Sequence, residues 1–214
     1  MKPFNLLVIA TALLATMSIV YVAYSAINTL GQLDAVERER DGWQHADEIL
    51  AALDLHQGQL VVDLGSGAGY FSLKLSPIVG SSGRVVAADL RKLSLAFLQA
   101  RAALRGIRNI EVVVADPDNP HLPDRADAIL ICNTYHELRN PAAILQYAYH
   151  SLARGGRVVI TDRSPADEPK AEHAVPSDIV QSTVIQAGFT IERVADPLFT
   201  DSHGEAWWLL AGRK

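Results

Sequence analysis

The sequence predicts an α/β protein built on a doubly wound, mostly parallel sheet of seven strands, with one antiparallel strand near the C-terminus. Three observations lead to this fold. From residue 58 onward, apolar strand-like runs alternate with helical runs, as they do in βαβ units whose helices cover both faces of a sheet. The last two strand-like runs have no helix between them, and a short connection permits only antiparallel pairing. An uncharged N-terminal stretch predicts a hydrophobic helix ahead of the sheet.

The composition is that of one globular domain of ordinary size. The chain has 214 residues, of which 49% are apolar and 20% are charged, and this balance supports a sizeable core. The formal net charge of −5 provides no electrostatic footprint for nucleic acid. The single cysteine, Cys132, rules out an intramolecular disulfide, and the scattered histidines lack metal-ligand spacing. We therefore expect no metal and no nucleic-acid partner.

The N-terminal stretch is apolar over a length that suits a bilayer. No charged residue occurs from Pro3 to Leu33, whereas about 20 apolar residues suffice to span the hydrocarbon core. The core of a signal peptide has only about 7–15 residues. We therefore predict that residues 1–33 form an uncleaved membrane anchor. A signal sequence cleaved near Ala23 and Ser25 is the alternative.

The orientation of such an anchor is not decided by its flanking charges. Lys2 lies on one side, and Arg38 and Arg40 lie on the other, so the positive-inside rule is nearly balanced. The oligomeric state is likewise left open by the sequence.

The anchor is followed by a polar segment and then by the predicted sheet. Residues 34–57 place Ile49, Leu50, Leu53 and Leu55 at helical spacing, so we predict a helix that links the anchor to the domain at 58–214 and covers part of it. Within that domain, β-branched and apolar runs predict strands at 59–64, 84–89, 110–115, 126–132, 157–161, 190–195 and 206–211.

Helices are predicted between these strands at 70–78, 93–104 and 178–187, each with an apolar face. A further helix at 140–155 has clear end signals. Asn140 suits the N-cap, Pro141 suits the first helical position, and Gly155 is expected to end the helix.

The stretch "VVDLGSGAGYF" joins the first strand to the first helix of the domain. Its glycines, Gly65, Gly67 and Gly69, lie where a ligand binds in doubly wound sheets, at the carboxyl ends of the strands. Glycine lets a ligand lie against the backbone at a helix N-terminus. The sequence therefore predicts a ligand site at this turn.

The residues around the turn indicate which ligand. The spacing is G-x-G-x-G, with Tyr70 in place of the third glycine of a dinucleotide fingerprint. Asp63 would repel a pyrophosphate but attract a sulfonium and an amino group. Asp89 ends the second strand, where a carboxylate can accept ribose hydroxyls, and Asp116 follows the third strand, where it could accept an adenine amino proton.

Three motifs now resemble a known family. "VVDLGSGAGYFSLKLSPIVGSSGRVVAADL", "ADAILICNTYHEL" and "LARGGRVVITDR" are similar to the first, fourth-strand and fifth-strand motifs of class I S-adenosylmethionine-dependent methyltransferases. The resemblance runs from about residue 43 to the C-terminus and is closest to small bacterial enzymes grouped with those of ubiquinone and menaquinone biosynthesis. It implies a Rossmann-like sheet, S-adenosylmethionine as cofactor, and a small-molecule methyl acceptor. The residues that it places on the cofactor are Asp63, Gly65, Ser66, Gly67, Gly69, Asp89, Leu90, Asp116 and Asn133.

Candidate catalytic residues follow the fourth strand. Methyl transfer from a sulfonium needs chiefly that donor and acceptor be held in line, and it needs a base only where the acceptor carries a proton at the reacting atom. His136 is the natural base, Glu137 could orient it, and Tyr135 lies beside them. The alternative is a loop in which His136 and Glu137 only cap the next helix or face solvent.

The acceptor and the location are expectations from the anchor. An anchored enzyme suggests a lipid-like or membrane-associated acceptor, and the cytosolic supply of S-adenosylmethionine suggests a cytoplasmic catalytic domain. The polar stretch containing Glu172 and His173 corresponds to a region that often covers the substrate in the resembled family, but it also suits a solvated loop. Two competing functions stay open: a non-catalytic S-adenosylmethionine-binding protein, and a nicotinamide-dependent oxidoreductase.

Overall fold

A computed structural model describes residues 3–165 and 173–214 of the chain, which divide into two units at Arg40 and Asp41. The first unit, which ends at Arg40, consists of the helix α1, Pro3–Asp41, without its last residue. Its stretch Thr11–Asp41 is long and apolar enough to cross a membrane, a property that signal sequences near an N-terminus share. The predicted N-terminal hydrophobic helix is confirmed.

The second unit alternates strands and helices as the sequence predicts. Its helices are α2 (Ala46–Ala52), α3 (Tyr70–Val79), α4 (Lys92–Leu104), α5 (Pro141–Ser151) and α6 (Ser177–Gln186). Its strands are β1 (Leu60–Leu64), β2 (Arg84–Asp89), β3 (Ile110–Val114), β4 (Ala126–Cys132), β5 (Leu152–Arg163), β6 (Thr190–Thr200) and β7 (Ala206–Arg213).

The strands form one seven-stranded sheet in the order β3-β2-β1-β4-β5-β7-β6. The pairs among β1 to β5 are parallel, and β7 runs antiparallel to both of its neighbours, β5 and β6. The predicted sheet with one reversed strand is therefore confirmed. Because β1 to β5 are parallel, their carboxyl ends meet at one edge, and the strand order reverses beside β1, where a crevice opens.

Both faces of the sheet are buried, as expected for parallel strands flanked by helices. Alternate residues of β1 show this: Val62 packs in the cluster that contains Leu145 of α5, whereas Val61 packs in the opposite cluster with Leu75 of α3. All four of these side chains are fully buried. The rigid sheet thus supports the loops at its carboxyl edge.

The predicted helix at 34–57 is wrong as a single element. Helix α1 ends at Asp41, and α2 begins at Ala46 after a turn in which His45 has a left-handed φ of 47°. Gln44, in this turn, is fully buried, and its Nε2 donates to Cys132 Sγ at 3.5 Å. Burial of this side chain requires the chain to leave the helical path.

The predicted end of the helix at 140–155 is also wrong. Asn140 does cap it, since its Oδ1 accepts the N–H of Ala143 at 3.2 Å. The helix ends at Ser151, however, because Leu152 is already extended and pairs with Ala126 of β4. Strand pairing competes successfully with the last helical turn, and Gly155 lies inside β5.

Strand β6, at one edge of the sheet, is irregular. Its register with β7 shifts between Ile191 and Arg193 and again between Ala195 and Phe199. The aromatic side chains Phe199 and Trp207 stack across this end, with ring centroids 5.7 Å apart. Trp207 and Trp208 of β7 are both buried.

The turn from β6 to β7 is organised by Asp201. Its carboxylate accepts the main-chain N–H of His203 at 2.9 Å and of Glu205 at 3.0 Å, and the indole N–H of Trp207 at 3.0 Å. Burial alone would raise the pKa of Asp201, but these hydrogen bonds outweigh it and the pKa lies below its usual value. The charged form therefore stabilises the turn.

We predict that Asp201→Ala lowers the free energy of unfolding at pH 7 by about 1–3 kcal/mol, because buried donors lose their acceptor. Since folding lowers the pKa, the stabilisation is complete above the unfolded-state pKa of about 3.9 and is lost as the pH falls through the folded-state pKa. Urea unfolding of the full chain in detergent at pH 7 and pH 3 measures both effects. The exposed Asp118→Ala is the control; equal losses in the two variants would contradict the assignment.

Candidate functional site

The glycine turn lies between β1 and α3 and is fixed to β2. The N–H groups of Gly65 and Ser66 both donate to the carbonyl oxygen of Ala88, at 2.8 Å and 3.1 Å. Gly65, Gly67 and Gly69 have positive φ angles of 81°, 54° and 93°, which only glycine adopts at little cost.

The three glycines are needed for different reasons. A Cβ on Gly65 would lie 2.1 Å from Thr134 Oγ1, and one on Gly69 would lie 2.2 Å from Leu98 Cδ1, so both positions are closed by the protein itself. At Gly67 the nearest atom is Arg91 Nη2, at 3.8 Å. Of the three, only Gly67 leaves space for a ligand to lie against the backbone. The sequence predicts such space at all three glycines.

Two acidic residues near the turn are buried. Asp63 of β1 is 3% exposed and accepts a hydrogen bond from Ser72 Oγ of α3 at 2.5 Å. Asp89 of β2 is 5% exposed, and its Oδ2 accepts the N–H of Gly67 at 2.7 Å. Asp89 therefore fixes the main chain at Gly67, the glycine that leaves space for a ligand.

Arg91 also binds Asp89. Its N–H donates to Asp89 Oδ1 at 2.8 Å, and its Nε donates to the same atom at 3.3 Å. The hydrogen bond to Asp89 raises the pKa of Arg91 against the opposing effect of burial, and the charges of Asp89 and Glu137 add to it. The Arg91 side chain is 63% exposed, so the longer contact lies at the surface of the site.

A cavity of about 180 Å³ opens beside these residues at the carboxyl edge. Its walls include the apolar side chains of Leu90, Ala115 and Pro117, together with Asp89 and Thr134. Asp116 also borders the cavity, but its side chain is 70% exposed and its Oδ2 lies 2.7 Å from His121 Nε2. The carboxylate that was expected to meet adenine is therefore paired with a histidine.

The turn after β4 contains an acceptor atom without a partner. Asn133 has a left-handed φ of 51°, and its N–H donates to Thr161 O at 2.8 Å. Within residues 3–165 and 173–214, neither Asn133 Oδ1 nor Ser66 Oγ has a hydrogen-bond partner, although both atoms are buried. Buried polar atoms are seldom left unpaired, so this pair indicates a polar ligand.

His136 is held by a residue that the sequence reasoning missed. Its Nδ1 lies 2.9 Å and 3.0 Å from the two carboxylate oxygens of Asp162, whose side chain is fully buried at the end of β5. Glu137 Oε1 is 3.9 Å from His136 Nε2, beyond hydrogen-bond range, and Glu137 is exposed. Asp162, and not Glu137, orients the imidazole.

Tyr135 faces away from the cavity. It is 3% exposed within the hydrophobic core. Burial raises the pKa of its phenol, and a hydrogen bond with Thr183 of α6 partly offsets this. We therefore leave Tyr135 out of the proposed catalytic set. Glu172 lies outside the described residues, whereas His173 is described and its ring lies 5.6 Å from that of His136.

One signal in the sequence could have pointed to Asp162. Asp162 ends the apolar run "RVVITD", and parallel strands β4 and β5 bring their carboxyl ends together. Gln44 is a polar residue between a tryptophan and a histidine just before the domain, but no spacing rule predicts its burial. The strand register positions Asp162, and the packing of the core positions Gln44. Neither can be read directly from the sequence.

The comparisons with known proteins identify the family. A family model described as a methyltransferase domain matches residues 55–196, more than half of the chain. The chain belongs to this methyltransferase domain family. A ubiquinone/menaquinone biosynthesis C-methyltransferase of Coxiella burnetii is 35% identical over 112 residues, which are 51% of this chain and 45% of that protein. The methyltransferase domain protein thus spans about half the length of the curated relatives it matches.

Solved structures show the same fold. An S-adenosylmethionine-dependent methyltransferase from Aquifex aeolicus superposes with a TM-score of 0.72 at 24% identity, covering 87% of this chain and 97% of that one. One from Mesorhizobium loti gives 0.65 at 21% identity, covering 78% and 96%. The cofactor that this family and fold imply is S-adenosylmethionine. Asn133 Oδ1, which no donor in the described part of the chain satisfies, suits its ammonium group, and Asp89 suits its ribose hydroxyls, so the residues present fit it.

We predict that Gly65→Ala destabilises the methyltransferase domain more than Gly106→Ala. Both glycines have positive φ, 81° and 69°, and each substitution therefore costs about 1–2 kcal/mol of backbone strain. Only at Gly65 does the new Cβ also collide with Thr134, which adds about 1–3 kcal/mol of overpacking. Urea unfolding monitored by circular dichroism measures the difference; equal losses would show that Thr134 yields freely.

Proposed function

We propose that this chain transfers a methyl group from S-adenosylmethionine to a small, membrane-associated acceptor. The observation that carries the proposal lies at one sheet edge. The open glycine position, Gly67, is tied to a buried Asp89, and two buried polar atoms in the turns after β1 and β4 have no hydrogen-bond partner among the residues that the structure describes. The names of the relatives support methyl transfer, and the acceptor class is our inference.

Asp89 provides the ribose contact in this proposal. A carboxylate has about four acceptor sites, and three are used here by Gly67 N, Arg91 N and Arg91 Nε. The last contact is long and comes from an exposed side chain, so ribose hydroxyls can replace it. Arg91 then moves outward while the two main-chain donors keep Asp89 in position.

The two ends of the cofactor meet different surfaces. Leu90, Ala115 and Pro117 form an apolar wall that suits adenine, and Asp116 contributes once its carboxylate leaves His121. At the other end, Asn133 Oδ1 and Ser66 Oγ are positioned to bind the amino-acid part. When bound, S-adenosylmethionine supplies an electrophilic methyl group on a positively charged sulfur.

His136 is the proposed catalytic base. It lies three residues after Asn133, in the segment that follows β4. Its side chain is 5% exposed and is oriented by Asp162, and an oriented, partly enclosed imidazole is suited to accept a proton from an acceptor. His173 lies against the same ring, which makes its segment part of the proposed acceptor wall. Glu137, at the rim, borders the cavity.

Two observations support the proposed acceptor class, the N-terminal helix and the name of one relative. A helix able to cross a membrane would place the domain beside lipid, and one relative is named for ubiquinone and menaquinone biosynthesis. We therefore propose a lipid-soluble acceptor such as a quinone precursor, an uncleaved anchor, and a catalytic domain in the cytoplasm, where S-adenosylmethionine is available.

We predict that the full chain in detergent binds S-adenosylmethionine and its demethylated product but not NADH. Asp89→Ala should weaken binding about 10–100-fold, because hydrogen bonds to a charged group contribute about 1.5–3 kcal/mol. Isothermal calorimetry measures all of these, with the exposed Asp178→Ala as a matched control. Binding of NADH would favour the nicotinamide-dependent alternative. Unchanged affinity in Asp89→Ala would overturn the assignment of Asp89 to the ribose.

We also predict that His136→Ala lowers methyl transfer about 10²–10⁴-fold, the usual contribution of a general base, with cofactor affinity unchanged. The assay uses S-adenosylmethionine labelled at the methyl group and a membrane lipid extract as the acceptor source. Label should enter the organic phase. His150→Ala, an exposed histidine at the end of α5, is the control. Binding without any transfer would favour the non-catalytic alternative.

A further inference from the structure

We propose that Asp162 is a positioning residue that fixes His136 as the Nδ1–H tautomer, so that Nε2 is the atom that takes a proton from the acceptor. The inference rests on the proposed function and deepens it in one respect. It requires an acceptor with a removable hydroxyl proton, so that the reacting atom is either the oxygen of that hydroxyl or a ring carbon that the hydroxyl activates.

The tautomer follows from the donors around Asp162. Its Oδ2 accepts the main-chain N–H of His136 at 3.2 Å, and its Oδ1 accepts the N–H of Arg163 at 2.9 Å. Both oxygens also lie within 3.0 Å of His136 Nδ1. A carboxylate offers only acceptors, so the proton shared with the imidazole belongs to Nδ1.

The opposite ring nitrogen is left available. Among the residues that the structure describes, His136 Nε2 has Glu137 Oε1 as a neighbour at 3.9 Å, too far for a hydrogen bond. The ring of His173 meets the His136 ring edge-on, at an interplanar angle of 71°. Nε2 therefore carries a lone pair that the described chain does not use.

The segment that carries His173 is anchored to the sheet. Val175 N donates to Arg163 O at 3.1 Å, and Trp208 Nε1 donates to Val175 O at 2.8 Å. Val175, two residues after His173, is thus hydrogen-bonded both to Arg163 of β5, next to Asp162, and to Trp208 of β7. The titratable groups that face His136 in the described chain are Asp162, Glu137 and His173, and only Asp162 touches it through a hydrogen bond.

The proton step is balanced without any further reactant. A hydroxyl of the acceptor loses its proton to Nε2, and the electron pair of that O–H bond becomes available on its oxygen or, through the ring, on a ring carbon that the hydroxyl activates. That pair forms the new bond to the methyl group, while the pair of the carbon–sulfur bond stays on sulfur, which becomes neutral. His136, now positively charged beside Asp162, returns the proton to solvent. A tertiary amine or a thioether would give Nε2 no proton to accept.

The test compares Asp162→Asn with Asp201→Asn in the full chain in detergent. An amide has one acceptor oxygen, which cannot serve two main-chain N–H groups and the imidazole, so its NH₂ group faces Nδ1 and the ring changes to the Nε2–H tautomer. Asp201 is a buried carboxylate of the β6–β7 turn whose hydrogen bonds, among the described residues, come from two main-chain N–H groups and the Trp207 indole and not from His136. The same substitution there changes stability without changing the tautomer.

Nitrogen NMR of ¹⁵N-histidine-labelled protein, assigned by the signal missing in His136→Ala, reports the tautomer without turnover. We expect a protonated Nδ1 in the parent and in Asp201→Asn, and a protonated Nε2 in Asp162→Asn. Transfer to the membrane lipid extract should fall about 10²–10⁴-fold in Asp162→Asn, with calorimetric affinity for S-adenosylmethionine unchanged. The loss should shrink near pH 10, where a phenol-like hydroxyl ionises without a base.

Three results overturn the inference: a protonated Nε2 in the parent, a protonated Nδ1 in Asp162→Asn, or a transfer loss in Asp162→Asn that is the same at every pH. Failure of the proposed function appears differently, as absence of S-adenosylmethionine binding in the parent, while the NMR result still decides the tautomer.

Discussion

One main-chain oxygen, that of Ala88 at the end of β2, organises the candidate site. It accepts the N–H groups of Gly65 and Ser66, and the next residue, Asp89, accepts the N–H of Gly67. Two consecutive residues of β2 thus hold three consecutive donors of the turn after β1. Because Leu64 pairs with Ala88 in the parallel ladder, the path of the turn follows directly from the register of the two central strands. The cavity, the open approach at Gly67 and the position of Asp89 all depend on that register.

Much of the fold could be predicted from the sequence because parallel strands that are buried on both faces consist of uninterrupted runs of apolar residues. Val85–Ala88 and Ala128–Ile131 are fully or almost fully buried and were recognisable as strands by composition alone. The errors occur where tertiary contacts override local preference. Gln44 is drawn into the core and breaks a helical pattern, and Leu152 joins β5 although glycine, the usual end signal, comes three residues later.

The candidate site was predictable only in part, for the same reason. Asp89 and the glycine turn follow strand ends that spacing locates, whereas the partner of His136 lies 26 residues away along the chain. Cys132 pairs with Thr161, and this register places Asp162, one residue further on, beneath the turn that carries His136. Glu137 is adjacent to His136 in the sequence and was therefore predicted to orient it, but the sheet brings Asp162 against the imidazole instead. The glycines illustrate the converse. Their turn lies between β1 and α3, as the sequence predicts, but at Gly65 and Gly69 the space expected for a ligand is filled by Thr134 and Leu98.

The irregular strand β6 also affects how the sheet meets other sheets. The outer strands of an open sheet present main-chain groups that can pair with a second chain. Here β6 shifts register twice and contains Pro197, which has no N–H to donate. The opposite margin, β3, is only five residues long and carries Glu111, which forms an ion pair with Arg84. Both margins therefore resist strand addition from a neighbouring molecule, which guards against cross-β association when many copies are crowded on one surface.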